Sequence, residues 1–343
     1  MTTNLRDVAE VAGVSLSTAS RVFTNAANVS EDIRVRVIEA STKLGYRHRE
    51  RIRRVQVALR KVVLFVRSHN RTRLSSMLGD FYGYVLQGIE AECRRHRLSL
   101  IFAHDGGNDE LSSQLDELAL DEETGVLMVG PFTADDVHSV QQRNLPVVLI
   151  NHTLPNAMVD AVLPDYYGGA QLAVQHLIDC GHQRIAYIHG PDRHTTNLRL
   201  QGYLDTLKAA HLPIDPSLIV QSTMSAQSAG DAVRELIERN VEFSALFCIN
   251  DITAYGASMA LLEARLRPGR DVALIGFDDL DLSQLTRMRL TTIHVPKIEM
   301  GHIAVRRLLE RSADPDGAPQ RITIAVNLVE RDTVHRLESL VLR

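Results

Sequence analysis

A chain of 343 residues is too long for one modest domain and suggests two or three units. With 45% hydrophobic and 23% charged residues, no apolar run near the roughly 20 residues that cross a bilayer, and no secretory signal in MTTNLRDVAE, it reads as a cytoplasmic globular protein. The net charge of -4 argues against nucleic acid only until it is divided: residues 1–61 hold 12 Lys/Arg against 6 Asp/Glu, the remainder 26 against 36. A basic head on an acidic body is expected where one end alone meets phosphate.

Three short helices open the chain. Asn4 stands at an N-cap with Asp7 three residues on, Leu5, Val8 and Ala12 recur at helical spacing, and Gly13 supplies the turn. Ser15 caps a second helix whose inner face is Ala19, Val22 and Phe23. Ser30 caps a third, with Glu31 and Asp32 in its first turn, the stripe Ile33, Val37, Ala40, Leu44, and Gly45 at its end. Two helices joined by a tight glycine turn and braced by a third make a helix-turn-helix, whose second helix fits the major groove. Its outward residues are Leu16, Ser17, Thr18, Ser20 and Arg21; the alternative is a small helical bundle with an ordinary polar face.

The run Leu5-Arg6-Asp7-Val8-Ala9-Glu10-Val11-Ala12-Gly13-Val14-Ser15, with Thr18, Ser20-Arg21-Val22, Val29-Ser30 and Leu44-Gly45-Tyr46, closely resembles the headpiece of the LacI/GalR family of bacterial regulators. The resemblance implies that Leu16, Ser17 and Arg21 read bases of a duplex. It also implies that Ser15, Thr18, Ser20 and Asn28 hold phosphates or support those contacts. Beyond Tyr46 the sequence departs from the family's Pro-Asn hinge and leucine wedge, with His48 at the proline position and Val55 at the wedge. A shorter, β-branched wedge fills less of an opened base step. Seven basic residues from Arg47 to Lys61, against Glu50 alone, form either a solvated linker or a set of non-specific phosphate contacts. The expectation is a hinge that folds on DNA, kinks it less and depends more on salt.

From Lys61 strands alternate with helices. Apolar runs at Val62–Val66, Leu98–Ala103, Val126–Val129 and Val147–Ile150 alternate with helical stretches near 82–96, 109–121 and 134–144. A second series has strands Ile185–Ile188, Ser244–Ile249 and Val272–Phe277 and helices near 168–180, 196–210, 226–239 and 252–265. Continuous apolar strands between amphipathic helices predict parallel sheets covered on both faces, here in two lobes. Ligands in such sheets bind outside the carboxyl ends of the strands. Those ends carry Asn250-Asp251 and Asp278-Asp279, with Arg199 on a neighbouring helix, a set suited to a polyhydroxylated ligand. Asp251 serves there either as a ligand contact or as a helix cap. Phe81 and Tyr82 either wall the site or pack in the core.

The resemblance continues through His176-Leu177-Ile178, Gly181-His182-Gln183-Arg184-Ile185, Arg199, Gly202-Tyr203, Asn250-Asp251, Gly276-Phe277-Asp278-Asp279, Leu290-Thr291-Thr292-Ile293 and Val329-Glu330-Arg331. It implies an α/β fold: an all-α headpiece (1–46), a hinge (47–60), and a two-lobed, type I periplasmic-binding-protein-like effector and dimerisation domain (61–343). Lobe 1 would comprise 61–160 and 292–322, and lobe 2 161–291 and 323–343, with three strands crossing between them. Arg199, Asn250 and Asp278 would bind the effector, helped by Thr195, Asp165, Phe81 and Tyr82. Asp165-Tyr166 departs from the family's Asp-Asn, and Arg67–Leu78 is longer and more basic than usual.

No HExxH, P-loop, GxSxG or GxGxxG occurs. Cys93, Cys180 and Cys248 lie far apart, so no metal, cofactor or disulfide framework is expected. The reading is a homodimeric repressor of a pseudo-palindromic operator, without enzymatic activity, controlled by a small ligand such as a sugar. A solute-binding protein would leave residues 1–46 unused. A sugar-processing enzyme would need Asp251 and Asp278 as its acid and base.

Overall fold

The computed structural model describes residues 4–23, 29–44, 58–67, 80–105, 111–118, 120–154, 156–285 and 289–337. The chain divides into two compact units, Met1–Gln56 and Val57–Arg343.

The first unit packs α1 (Leu5–Ala12), α2 (Leu16–Phe23) and α3 (Glu31–Lys43) around Val8, Ala9, Ala12, Ala19, Val22, Val37 and Ala40. These residues are small, so the three helices approach closely. Asn4 and Asp7 form the expected reciprocal cap: Asn4 Oδ1 accepts from Arg6 N at 2.8 Å, and Asp7 Oδ2 from Asn4 N at 2.8 Å. Gly13 ends α1 at φ 63°, a left-handed conformation natural to glycine. Arg36 of α3 donates to the carbonyl of Ala12, closing the turn from the far side. One expectation changes here. Ser30 occupies the N-cap of α3, but among the described residues its side chain makes no capping hydrogen bond.

The second unit begins with β1 (Lys61–Arg67), α4 (Asp80–Arg95), β2 (Ser99–Asp105), α5 (Leu111–Glu117), β3 (Thr124–Val129), α6 (Ala134–Gln142), β4 (Val147–Ile150) and β5 (Asp160–Pro164). It continues through α7 (Tyr166–Asp179), β6 (Ile185–His189), α8 (His194–Ala209), β7 (Ile219–Gln221), α9 (Ala226–Glu238), β8 (Ala245–Cys248), α10 (Asp251–Glu263) and β9 (Ala273–Ile275). The last elements are α11 (Leu282–Leu285), β10 (Thr292–His294), α12 (Lys297–Ala313), β11 (Arg321–Ile324) and β12 (Asn327–Val329).

The first sheet is parallel with order β11-β5-β4-β3-β1-β2, and the second, also parallel, with order β7-β6-β8-β9. β1 shows why its run is unbroken. Val62, Leu64 and Val66 enter one core, Val63 and Phe65 the core on the opposite face, so both pleat directions are apolar. Strands β10 and β12 pair antiparallel outside the two sheets. The chain passes between sheets after β5, between β9 and α12, and between β11 and β12.

Two points differ from the sequence reading. The approximate breaks near 160 and 322 fall at two paired strands: Ala161–Pro164 of β5 match Arg321–Ile324 of β11, both on the first sheet. Helix α12 went unassigned because two arginines interrupt its buried face. Arg307 and Arg311 both reach Asp160, which is 1% exposed, at 2.9 and 2.6 Å. α12 crosses α4 closely at paired glycines. A Cβ on Gly88 would lie 2.0 Å from the Ile298 carbonyl oxygen, and one on Gly301 2.2 Å from that of Val85.

Candidate functional site

On the headpiece, α2 turns Ala19 and Val22 inward and leaves Leu16, Ser17 and Arg21 exposed, with Thr18 and Ser20 half-buried. Ser15 is the cap: its Oγ accepts from Thr18 N at 3.1 Å and lies 2.9 and 2.7 Å from the hydroxyls of Ser17 and Thr18. Leu16 is 46% exposed, an apolar residue at the very start of the helix, where its packing gains nothing from the headpiece core. Asn28 and Val55 lie outside the described residues.

In the second unit, three strand ends of the second sheet converge. β6 runs into His189-Gly190 and α8, β8 into Asn250 and α10, and β9 into Asp278-Asp279. Arg199, 3% exposed on α8, lies with its guanidinium carbon 3.9 Å from the Tyr166 ring centroid and 4.4 Å from that of Phe277. Its Nη2 is 3.7 Å from Asp278 Oδ1, close enough for charge attraction and too far for a hydrogen bond. Arg199 Nε and Asp278 Oδ1 are both buried with no hydrogen-bond partner among the described residues. Burial pushes the Asp278 carboxyl up to about 6, against the lowering fields of Arg199 and Lys297.

Asp278 and Asp279 have φ of 103° and 53°, uncommon for residues with a Cβ. Lys297, 6% exposed at the start of α12, stabilises that backbone by donating to the carbonyls of Asp278, Asp279 and Val295. The Asp279 carboxylate is occupied by Arg331 at 2.6 Å and His294 at 2.8 Å.

From the first-sheet side comes Asn151, at the end of β4 with φ 59°. Its amide donates to Tyr82 Oη at 2.9 Å and its carbonyl oxygen accepts from Tyr166. Phe81 meets Tyr82 edge-on, centroids 5.1 Å apart, and both are half-buried against the core that joins the two sheets. Burial raises the Tyr82 hydroxyl, which feels Asp278, Arg193 and Arg199.

The structure therefore brings Arg199 and Asp278 together, with the Tyr82 hydroxyl in their field and Phe81 against the Tyr82 ring; Asn250 follows the neighbouring strand. Asn250 Oδ1 caps α10 by accepting from Thr253 N at 2.9 Å. Asp251 is resolved as structural: its oxygens accept from Leu280 N at 2.7 Å and Thr292 Oγ1 at 2.5 Å, and burial pushes it up to about 8. Asp165 is likewise a cap, accepting from Gly168 N at 2.8 Å. Thr195 is half-buried, whereas its neighbour Thr196 is buried and bonded to the carbonyls of Pro191 and Arg193.

The sequence reading missed Asn151, Arg193 and Lys297. Asn151 follows a strand as Asn250 does, and the strand-end rule applied to the first series would have found it. Tyr166, noted as a departure, supplies both the ring under Arg199 and a bond to Asn151.

These features define a helix-turn-helix headpiece joined in one chain to a two-sheet ligand-binding unit. Residues 4–48 match the model of bacterial regulatory proteins of the lacI family, and residues 174–334 that of a periplasmic binding protein-like domain. The ribose operon repressor of Escherichia coli (strain K12) is 32% identical over 332 residues, covering 95% of this chain and 98% of the relative. The HTH-type transcriptional repressor PurR of Haemophilus influenzae (strain PittEE) is 30% identical, covering 96% and 98%. Among solved structures, a transcriptional regulator CelR-cellobiose complex is 28% identical with TM-score 0.72, covering 97% of this chain and 100% of that one. The chain belongs to the lacI family of bacterial transcriptional regulators. Among the described residues no helix is long and apolar enough to cross a membrane.

Proposed function

We propose that this regulator represses transcription in the cytoplasm from a pseudo-palindromic operator, under control of a sugar held between its two sheets. One observation carries the effector reading: Arg199 and Asp278 are buried side by side yet incompletely bonded, so a group bearing hydroxyls completes them. The kinship with a ribose operon repressor and a cellobiose-bound regulator supports a sugar. In this reading Leu16, Ser17 and Arg21 read bases, and Ser15, Thr18, Ser20 and Asn28 support phosphate contacts. Residues 47–60 form a hinge with Val55 as its wedge. Arg199, Asn250, Asp278, Tyr82 and Phe81 contact the sugar, with Thr195 and Asp165 at its edge.

Homodimerisation follows from the demand of a two-fold operator and from α10. Ile252, Tyr255, Met259 and Leu262 are 39%, 37%, 45% and 51% exposed and share one helical face, suited to a second copy. The enzyme alternative loses its acid/base pair, because both oxygens of Asp251 are committed to internal bonds.

The test is selection of duplexes from a random pool by the full chain, then titration of the selected duplex with and without D-ribose or cellobiose. Expected is a palindromic site whose affinity changes several-fold with one of the sugars. No enrichment over random competitor would overturn the DNA reading, and enrichment indifferent to both sugars the effector reading.

A further inference from the structure

Two side chains of β6, outside every assignment above, bear unpaired polar atoms of the same kind. Tyr187 is fully buried, its ring stacked 5.0 Å from Phe247 and 5.1 Å from Tyr203. Its hydroxyl has no hydrogen-bond partner among the described residues, and neither has the buried Nδ1 of His189. The two residues point to the same side of β6 with ring centroids 5.6 Å apart, and both feel the charge of Arg199. Tyr203 shows what a settled phenol does at this depth: its hydroxyl donates to the Ile185 carbonyl at 2.8 Å.

Among the described residues five buried side-chain atoms lack a partner: His335 Nδ1, against the ring of His182, and the four of Arg199, Asp278, Tyr187 and His189, which lie on or next to the strands and helices of the second sheet. Buried polar atoms in folded proteins are almost always bonded, so four unbonded ones in one electrostatic neighbourhood mark a place where another molecule completes them. Their character selects its chemistry. Arg199 Nε–H and Tyr187 O–H offer protons; Asp278 Oδ1 accepts one, as does His189 Nδ1 in the tautomer protonated at Nε2. A carboxylate or phosphate accepts only, and would leave Asp278 and His189 unsatisfied. A vicinal diol brings two O–H donors and two oxygen acceptors, and matches all four.

We propose that Tyr187 and His189 are specificity-determining residues of the effector site, receiving with Arg199 and Asp278 a vicinal diol of the sugar. The four atoms are sealed from solvent, so the diol reaches them as the sheets part and close over it. This rests on the sugar reading above and deepens it.

The test compares the full chain with Tyr187→Phe and His189→Ala by thermal unfolding alone, then by calorimetric titration with D-ribose, 2-deoxy-D-ribose and cellobiose. Without sugar, Tyr187→Phe is expected to unfold at the wild-type temperature or above, since it removes an unpaired hydroxyl; a clear fall would show that the hydroxyl is bonded internally and overturn the proposal. With whichever sugar binds the wild type, each variant is expected to weaken binding roughly tenfold. Wild-type affinity in both variants would overturn the proposal while leaving the sugar reading intact. If ribose is the sugar, 2-deoxy-D-ribose, lacking one hydroxyl of the 2,3-diol, is expected to bind at least tenfold more weakly; equal binding would remove the diol. No binding of any of the three to the wild type would overturn the sugar reading and this inference with it.

Discussion

Two buried carboxylates of the second unit meet arginines in opposite ways. Asp160 receives Arg307 Nε at 2.9 Å, Arg311 Nε at 2.6 Å and the backbone N–H of Gln320 at 2.6 Å, so both its oxygens are fully engaged. Asp278 faces a single guanidinium at 3.7 Å, spread over two aromatic rings, and keeps one oxygen unpaired. The first set ties β5, α12 and the approach to β11 into one body. The second is held apart by packing, and holds its bonding capacity for something else. Both are buried, at 1% and 7% exposure; the difference lies in whether the donors are already spent.

The contrast can be broken most sharply at Asp160. Asp160→Asn should lower stability by about 3–5 kcal/mol, because buried Arg311 loses its counter-ion and buried Arg307 keeps only the exposed Glu310. Denaturant unfolding measures it; a loss under ~1 kcal/mol would mean the cluster is not what joins these elements.

Next comes the pH dependence, where the two carboxylates have opposite signs. Burial alone would raise Asp160, but the bonds from Arg311, Gln320 and Arg307 hold it below the usual carboxylate range. Its contribution is thus present above the unfolded value near 3.8 and lost as pH falls through the depressed folded value. Asp278, raised to about 6, favours the folded state most at low pH, and that contribution is lost as pH rises from about 4 through 6. Relative to wild type, Asp278→Asn should therefore gain on the order of 2–3 kcal/mol between pH 4 and pH 7, while the deficit of Asp160→Asn stays nearly constant there and shrinks only below about pH 4. Parallel profiles for the two variants would erase the distinction. Sugar affinity should also decline below about pH 6, where Asp278 takes up a proton.

A smaller effect separates the two phenols of one stack. Tyr203→Phe should destabilise by about 1 kcal/mol, since its hydroxyl is bonded to Ile185. The smallest concerns the headpiece: Ser15→Ala removes the α2 cap and should cost about 1 kcal/mol in that unit. Circular dichroism melts would show whether that loss stays confined to the headpiece transition.

Most of the fold was legible in the sequence because both sheets use strands apolar on both faces, and Asn4, Gly13 and Ser15 punctuate the headpiece with local chemistry. Helix α12 was not, since Arg307 and Arg311 look like surface residues until Asp160, far away in the chain, is placed against them. In the site, Arg199, Asn250 and Asp278 were legible as polar groups beside strand ends. Tyr187 and His189 were not: inside a strand such as Ile-Ala-Tyr-Ile-His, a tyrosine reads as core, and only the missing partner for its hydroxyl says otherwise. Asp251 shows the converse, a carboxylate in a ligand-like position that turns out to be a rivet.

Lys297 leaves one further consequence. Its ammonium group opens α12, which packs on the first sheet, yet it grips the backbone of the turn that leaves the second. That turn is therefore fastened to the second sheet by the chain and to the helix of the first by an ammonium group. A change at the root of α12 and a change at the end of β9 therefore both reach the Asp278 carboxylate through one short turn.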